Sequence, residues 1–350
     1  MMFSEFIYYI GYSIKKQYSL KNQRRLPFKV ISIGNITVGG TGKTPAAIAV
    51  AEEARKRGLN PVILTRGYRG KAKGPCFVRS SQQKTETGKG KDSSLLYGDE
   101  PVLMAERLKD IPIVKCADRY EGGMFALRGL QPSSFAKAPT SGNLHPLLFI
   151  LDDGFQHWKL HRDVNIVLIN GQNPYGNRKM LPMGSLREPL TGLKRADIFV
   201  ITNSLEANST VTPGLVTELK GYNPAAPVFF SEHRLTGIRD IKGNRPETSS
   251  LKGKRVYAFC GLANPESFRQ TVLSLDCDIR GFKSYRDHYK YSDEDMSYLE
   301  AQARALTCDL LITTEKDMVK LREMRIPENL LCVEISFHAD ADFFDQIFKG

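Results

Sequence analysis

The stretch "KVISIGNITVGGTGKTPAAIAVAEEA", residues 29–54, decides the fold. It runs from a β-branched apolar segment through a glycine-rich turn into a helix-forming segment. Strand, turn, Gly-Lys-Thr and helix in that order are the context of a phosphate-binding loop. The backbone N–H groups of Gly39, Gly40, Thr41 and Gly42 can wrap phosphate oxygens, and the helix N-terminus adds its positive dipole end. Lys43 is expected to reach the β- and γ-phosphates of ATP, and the Thr44 hydroxyl to ligate Mg²⁺. One position departs from the usual spacing. Thr37 stands where such loops carry their first glycine, which makes this a variant loop. A lysine just before the glycine pair would mark the dimeric ATPases that segregate DNA or position division sites. Val38 stands there and argues against them.

Outward from this stretch, apolar runs recur: "PVILTRGY", "IPIVKCAD", "PLLFILDD", "NIVLIN" and "ADIFVITN". Most are continuously apolar, as expected for parallel strands covered on both faces. One helix is expected from Thr44 to about Arg57, closed by Gly58. Another opens at "GDEP", with Pro101 in its first turn. This is an α/β pattern of the P-loop NTPase type, a parallel sheet with helices on both faces. A second, smaller α/β unit follows, with strands "KRVYAFCGL" and "LLITTEKD". One of its helices opens at Asn264-Pro265 and another at Ser292, where Asp295 completes a capping box. "PVFFSEHRLTGI" is a connecting strand beside which "LLCVEISF" can return. The expected division is residues 1–25 as an N-terminal helix, 26–224 as the P-loop kinase-type domain and 225–350 as the smaller domain. Residues 80–94 and 131–145 are polar or Pro/Ser-rich and are expected to be loops.

Apolar residues are 41% and charged residues 25% of the 350, as in soluble globular proteins. No run of 18 or more apolar residues predicts a spanning helix, and no signal peptide is evident. The six cysteines form no C-x-x-C pair and are expected to be buried, reduced thiols. The net charge of +12 attracts polyanions: nucleic acid, anionic lipid or a phosphorylated substrate. The basic residues are dispersed and no nucleic-acid-binding motif is visible, so nucleic acid is not expected as a partner.

Residues 1–25 carry Phe3, Phe6, Ile7, Ile10 and Ile14 on one helical face, with Tyr8, Tyr9, Tyr12 and Tyr18 and five basic residues. This suits a helix lying in a membrane interface beside anionic lipid. It equally suits a terminal helix docked on the protein's own core.

Several polar residues stand where strands end, which is where an open α/β sheet forms its ligand crevice. "LDDGFQH" puts Asp152 and Asp153 where a magnesium-holding carboxylate is expected, or where a strand end is merely capped. Gln156 follows within reach of the same edge. In "LPMGSLREP", Arg187 can steady phosphate charge and Glu188 can bind the metal directly or through water. The alternative is a surface ion pair. Arg66 and Tyr68 of "TRGYRG" and Arg119 of "ADRYEGG" can grip an anionic acceptor or form structural salt bridges. Asp99 opens a helix, as an N-cap or as a functional carboxylate. His288 in "RDHY" lies in a loop of the second unit, so it meets Asp99 only if a cleft closes.

Together, "GNITVGGTGKTP", "TRGYRG", "GDEP", "LDDGFQH", "LPMGSLREP", "CGLANPESF", "DHY" and "TTEKDMVKL" resemble the tetraacyldisaccharide 4'-kinase family, and Thr37 is itself a trait of its variant loop. The resemblance implies a peripheral enzyme at the cytoplasmic face of the inner membrane of a Gram-negative bacterium. It would use ATP and Mg²⁺ to phosphorylate the 4'-hydroxyl of a tetraacyl disaccharide 1-phosphate, giving lipid IVA. It also implies a two-stranded linker between the domains and a membrane role for the N-terminal helix. Asp99 with His288 would form the base, and Arg66, Tyr68 and Arg119 would contact the substrate. A monomer is expected. The rival readings are another P-loop small-molecule kinase, or a nucleotide-switched adaptor.

Overall fold

A computed structural model describes residues 3–79, 93–130, 146–203, 211–322 and 324–349. The expected loop at 131–145, and all but the last two residues of that at 80–94, lie outside these. Helix α1 (Phe3–Lys21) precedes β1 (Lys29–Gly34), α2 (Lys43–Lys56), β2 (Asn60–Thr65) and the short β3 (Cys76–Phe77). Then come α3 (Ser93–Tyr97), α4 (Asp99–Arg107), β4 (Ile113–Lys115), α5 (Arg119–Gly129), β5 (Leu147–Asp152) and β6 (Val164–Asn170). Next are β7 (Ile198–Thr202), α6 (Val211–Tyr222), β8 (Val228–Asp240), β9 (Arg255–Cys260), α7 (Pro265–Leu273) and β10 (Asp278–Ser284). The chain closes with α8 (Asp293–Ala305), β11 (Leu310–Thr314), α9 (Glu315–Leu321), β12 (Leu330–Ala339) and α10 (Ala341–Phe348).

The strands form a single 12-stranded sheet in the order β10-β9-β11-β12-β8-β7-β6-β1-β5-β2-β4-β3. All neighbours are parallel except β8 with β12 and β3 with β4. The apolar runs explain why. In β1, Ile31 and Ile33 join Ala47 and Val50 of α2 and Phe343 and Ile347 of α10 in one cluster. Val30, on the other face, joins Ala126 of α5. Val167 and Phe199 of β6 and β7 pack with Leu215 and Leu219 of α6. Strands buried on two faces need apolar residues at every position. Each fully buried Ile or Phe contributes about 1.5–3 kcal/mol relative to exposure.

Beyond β8 the same logic repeats. Val256 and Ala258 pack with Phe268 and Val272 of α7, while Tyr257 and Phe259 pack with Met296 and Leu299 of α8. The caps form as the sequence implies: Asn264 accepts from Ser267 N, and Ser292 and Asp295 make a reciprocal capping box.

One register decides how the two parallel blocks meet. The start of β8 pairs with β7 at Val228–Ser231, and its far end pairs with β12 up to Asp240. Because β12 runs back antiparallel, β9 and β11 point toward the first block. The C-terminal ends of both sets of strands therefore face one cleft. Helix α10, in the segment assigned to the second unit, returns to the first block. Its Phe343 and Ile347 are fully buried there, and its Asp345 pairs with Arg57 at 2.6 Å.

Candidate active site

The loop after β1 turns through two glycines with positive φ, Gly39 at 117° and Gly42 at 78°. Side chains rarely adopt that conformation. Gly42 is doubly constrained, since a Cβ there would lie 2.6 Å from His233 Nε2 of β8. Lys43 and Thr44 open α2 and line a cavity of about 1350 Å³, as do Gly39, Gly40, Thr41 and Gly42. Arg66, Tyr68, Arg119, Asp152, Asp153, Gln156, Arg187 and His288 line the same cavity.

The two adjacent acids are held very differently. Asp152 ends β5 and accepts from Thr65 Oγ1 at 3.2 Å. Burial, together with the neighbouring Asp153 and Glu100, pushes its carboxyl up to about 6. Asp153 takes a left-handed backbone, φ 53°. Arg187 Nη1 donates to both its oxygens at 2.7 and 2.8 Å, and Lys43 Nζ lies 3.7 Å away. Burial opposes its charge, yet Lys43 and Arg187 prevail and hold the carboxyl at about 2. Arg187 thus pairs with Asp153 and not with Glu188. It ties the Asp153 carboxylate to the mouth of the phosphate loop.

Glu188 is 0% exposed. Arg195 Nη2 donates to its two oxygens at 2.9 and 2.8 Å, Gln156 Nε2 at 2.7 Å and Tyr12 Oη at 3.1 Å. Gln156 also donates to the Asn35 carbonyl at 2.9 Å. Gln156 and Glu188 are therefore bonded to each other, Gln156 at the cavity wall with Asp152 and Asp153 and Glu188 in a buried layer behind it. Helix α1 contributes to this layer, because Tyr8 Oη donates to the Arg187 carbonyl at 3.0 Å.

Across the cleft, Asp99 is the first residue of α4, but Gly98 occupies the cap position and no side-chain cap bond forms. The N-cap alternative is thereby removed. Asp99 Oδ2 instead lies 3.1 Å from His288 Nδ1. His288 has φ 56°, and its carbonyl accepts from Arg69 Nη1 at 2.9 Å. The Tyr68 ring tilts against its imidazole at 5.3 Å. Arg66 is exposed at the cavity edge. Arg119 is buried, which lowers its pKa. It donates through Nη1 to the Ala117 carbonyl at 3.0 Å, and its Nε has no partner among the described residues. The cleft thus joins the expected nucleotide side, Lys43, Thr44, Asp152, Asp153 and Arg187, to Asp99 and His288.

Sequence reasoning missed four residues here. Lys316 binds Glu100 at 2.9 Å and Asp287 at 3.0 Å, and Arg195 neutralises Glu188. Asp287 stands beside His288 in "RDHY" and Lys316 lies within "TTEKD", so both were visible, but nothing local gives them a partner.

A family model described as Tetraacyldisaccharide-1-P 4'-kinase matches residues 2–349. A tetraacyldisaccharide 4'-kinase of Syntrophus aciditrophicus is 36% identical over 330 residues, covering 91% of this chain and 83% of the relative. One of Geobacter metallireducens is 37% identical over 299 residues, covering 85% and 80%. A solved structure of "apo" form LpxK from Aquifex aeolicus in complex with ATP superposes with a TM-score of 0.71 at 30% identity. That match covers 98% of this chain and 96% of the other. With its phosphate loop, paired aspartates and cross-cleft Asp–His contact, the chain belongs to the tetraacyldisaccharide 4'-kinase family.

Proposed function

We infer that this protein transfers the γ-phosphoryl group of ATP to the 4'-hydroxyl of a tetraacyl disaccharide 1-phosphate, the step that forms lipid IVA in lipid A synthesis. The single observation that carries the reading is the Asp99–His288 contact facing the phosphate loop in one cavity.

Backbone amides of Gly39 to Gly42 and the end of α2 cradle the β- and γ-phosphates, and Lys43 neutralises their charge. Arg187, fixed on Asp153, offers a second cation at the same edge. Thr44, Asp152 and Asp153 offer hard oxygen donors. Among the described residues no group of three or more His, Cys, Asp or Glu forms a preassembled metal cage. Magnesium is commonly held by one or two carboxylates together with substrate phosphates, so this donor set fits it. Once bound, it screens charge developing on the transferring group. Gln156 stands at that edge, and Glu188, its oxygens taken by Arg195, Gln156 and Tyr12, supports it from behind. Asp99 accepts the hydroxyl proton as the new O–P bond forms and the β–γ bridge breaks, releasing ADP. Arg66, Tyr68 and Arg119 suit the anionic disaccharide.

The reading extends to location. No helix among the described residues is long and apolar enough to cross a membrane. The outward face of α1 suits the interface of the inner membrane on its cytoplasmic side, with the protein acting as a monomer. We also propose two units divided near residue 225, with β8 and β12 as the two-stranded linker.

The test is phosphoryl transfer from ATP to the tetraacyl disaccharide 1-phosphate in detergent. Asp99→Ala is expected to lower kcat by about 10²–10⁴-fold with ATP binding retained. Near-normal turnover in that variant would remove Asp99 from the base role.

A further inference from the structure

His288 stands among three carboxylates. Asp99 and Glu100 come from α4, and Asp287 is its own neighbour. Carboxylates of three residues thus surround one imidazole. A protonated His288 would bind the Asp99 carboxylate more strongly and weaken it as a base. What opposes this is a cation from another helix. Lys316, the second residue of α9, puts Nζ 2.9 Å from Glu100 Oε1 and 3.0 Å from Asp287 Oδ1. The same two carboxylates lie farther from His288 Nε2, at 3.5 and 3.8 Å. Lys316 Nζ also lies 3.5 Å from Nε2.

The hydrogen-bond roles follow from chemistry. A carboxylate only accepts and an ammonium only donates. Nδ1, facing Asp99 Oδ2, must carry the hydrogen, and a neutral ring then offers Nε2 to the Lys316 ammonium as an acceptor. We propose that Lys316 is a positioning residue that holds His288 as the neutral Nδ1–H tautomer, so that the ring orients Asp99 without draining its basicity. This rests on the Asp99–His288 base reading and deepens it.

The remaining charged and titratable groups around the ring leave this role to Lys316. Lys320 pairs with Asp317 at 2.7 Å and reaches Asp99 only at 4.0 Å. Arg69 bonds the His288 carbonyl, and Tyr68 meets the ring by its face. Lys316 itself stays charged: burial opposes its ammonium, but Glu100 and Asp287 outweigh burial and raise its pKa. Glu100 lies on α4 and Asp287 across the cleft from it, so Lys316 joins the two sides beside the base.

The experiment follows kcat and KM against pH with ATP and the tetraacyl disaccharide 1-phosphate in detergent, for the unaltered protein, K316M and K316R, with D99N as control. Removing the ammonium leaves Glu100 and Asp287 free to stabilise imidazolium. The acid limb of kcat in K316M is therefore expected to move up by about one pH unit, with recovery at alkaline pH and an unchanged KM for ATP. K316R is expected to restore the limb. In parallel, ¹⁵N-histidine spectra of the unaltered full chain, assigned with H288Q, are expected to show His288 protonated at Nδ1. A uniform loss of kcat at every pH in K316M, an unmoved limb, or an Nε2–H ring in the unaltered protein overturns the proposal. Full turnover by D99N would overturn the base reading itself, an outcome distinct from an unmoved limb with D99N inactive.

Discussion

His157 shows how a single residue can carry a pH dependence. Burial, with Arg119 beside it, pushes its pKa down to about 3. Its Nε2 accepts from the Arg119 backbone N–H at 3.4 Å, so the ring is an acceptor and neutral. An unfolded histidine titrates near 6.5. Below that pH the unfolded chain binds a proton that the folded chain refuses. The stability present above the unfolded pKa is thus lost as pH falls toward the folded one. The local slope is about 1.4 kcal/mol per pH unit. His157→Gln is expected to flatten the fall of melting temperature between about pH 6 and pH 4. An identical slope in the variant would assign the loss to other groups. The same scale shows what a sequence hides. Asp152 and Asp153 are equivalent on paper. Thr65 touches one while Lys43 and Arg187 hold the other, and those partners come from other elements.

Helix α1 docks one face on the protein and leaves the other exposed. Tyr8, Tyr12 and Glu5 dock inward, Glu5 accepting from Met180 N at 2.9 Å. Phe3 is 80%, Ile7 54% and Ile14 63% exposed on the other side. Deleting the helix would confound membrane contact with loss of the Tyr12–Glu188 bond. Replacing Phe3, Ile7 and Ile14 by Ser separates them. Each such side chain contributes about 1.5–3 kcal/mol when buried in an apolar phase, so binding to anionic vesicles is expected to weaken at least about tenfold. Unchanged cosedimentation would sink the interfacial role. Elements with a continuous apolar run or a cap were legible: β1, β2, β5, β6, β7, α7 and α8. Strand β10 was not, because it is a partly exposed edge strand, "DIRGFKS", with no apolar run to announce it. Helix α10 was also missed, since its eight residues bury Phe343 and Ile347 against an element almost 300 positions earlier.

At the scale of the molecule, a buried charge network joins the two blocks beside the cleft. Arg239 of β8 meets Glu334 of β12 at 2.9 Å, Arg107 of α4 meets Glu315 of α9 at 2.7 Å, and Arg322 meets Glu106 at 2.8 Å. Glu334 is shared, because Arg245 also reaches it at 3.0 Å. Arg239→Met therefore removes buried charge-assisted bonds without leaving Glu334 unpaired, and is expected to cost about 1–3 kcal/mol in denaturant unfolding. A cost under about 1 kcal/mol would mean the pair behaves as an exposed one.

The sequence by itself determined the phosphate loop, the parallel α/β class and the places where strand ends carry polar residues. Those follow from patterns only a few residues long: β-branched runs, a glycine turn, caps. Tertiary structure alone decided that β12 runs back beside β8 and so turns both sets of strand ends into one cleft. It also decided that His288 faces Asp99 across 189 positions, that Lys316 stands between Glu100 and Asp287, and that Glu188 is closed off by Arg195. Partners so far apart in the chain leave no local periodicity, and charge becomes specific only when burial and distance select one pair from many.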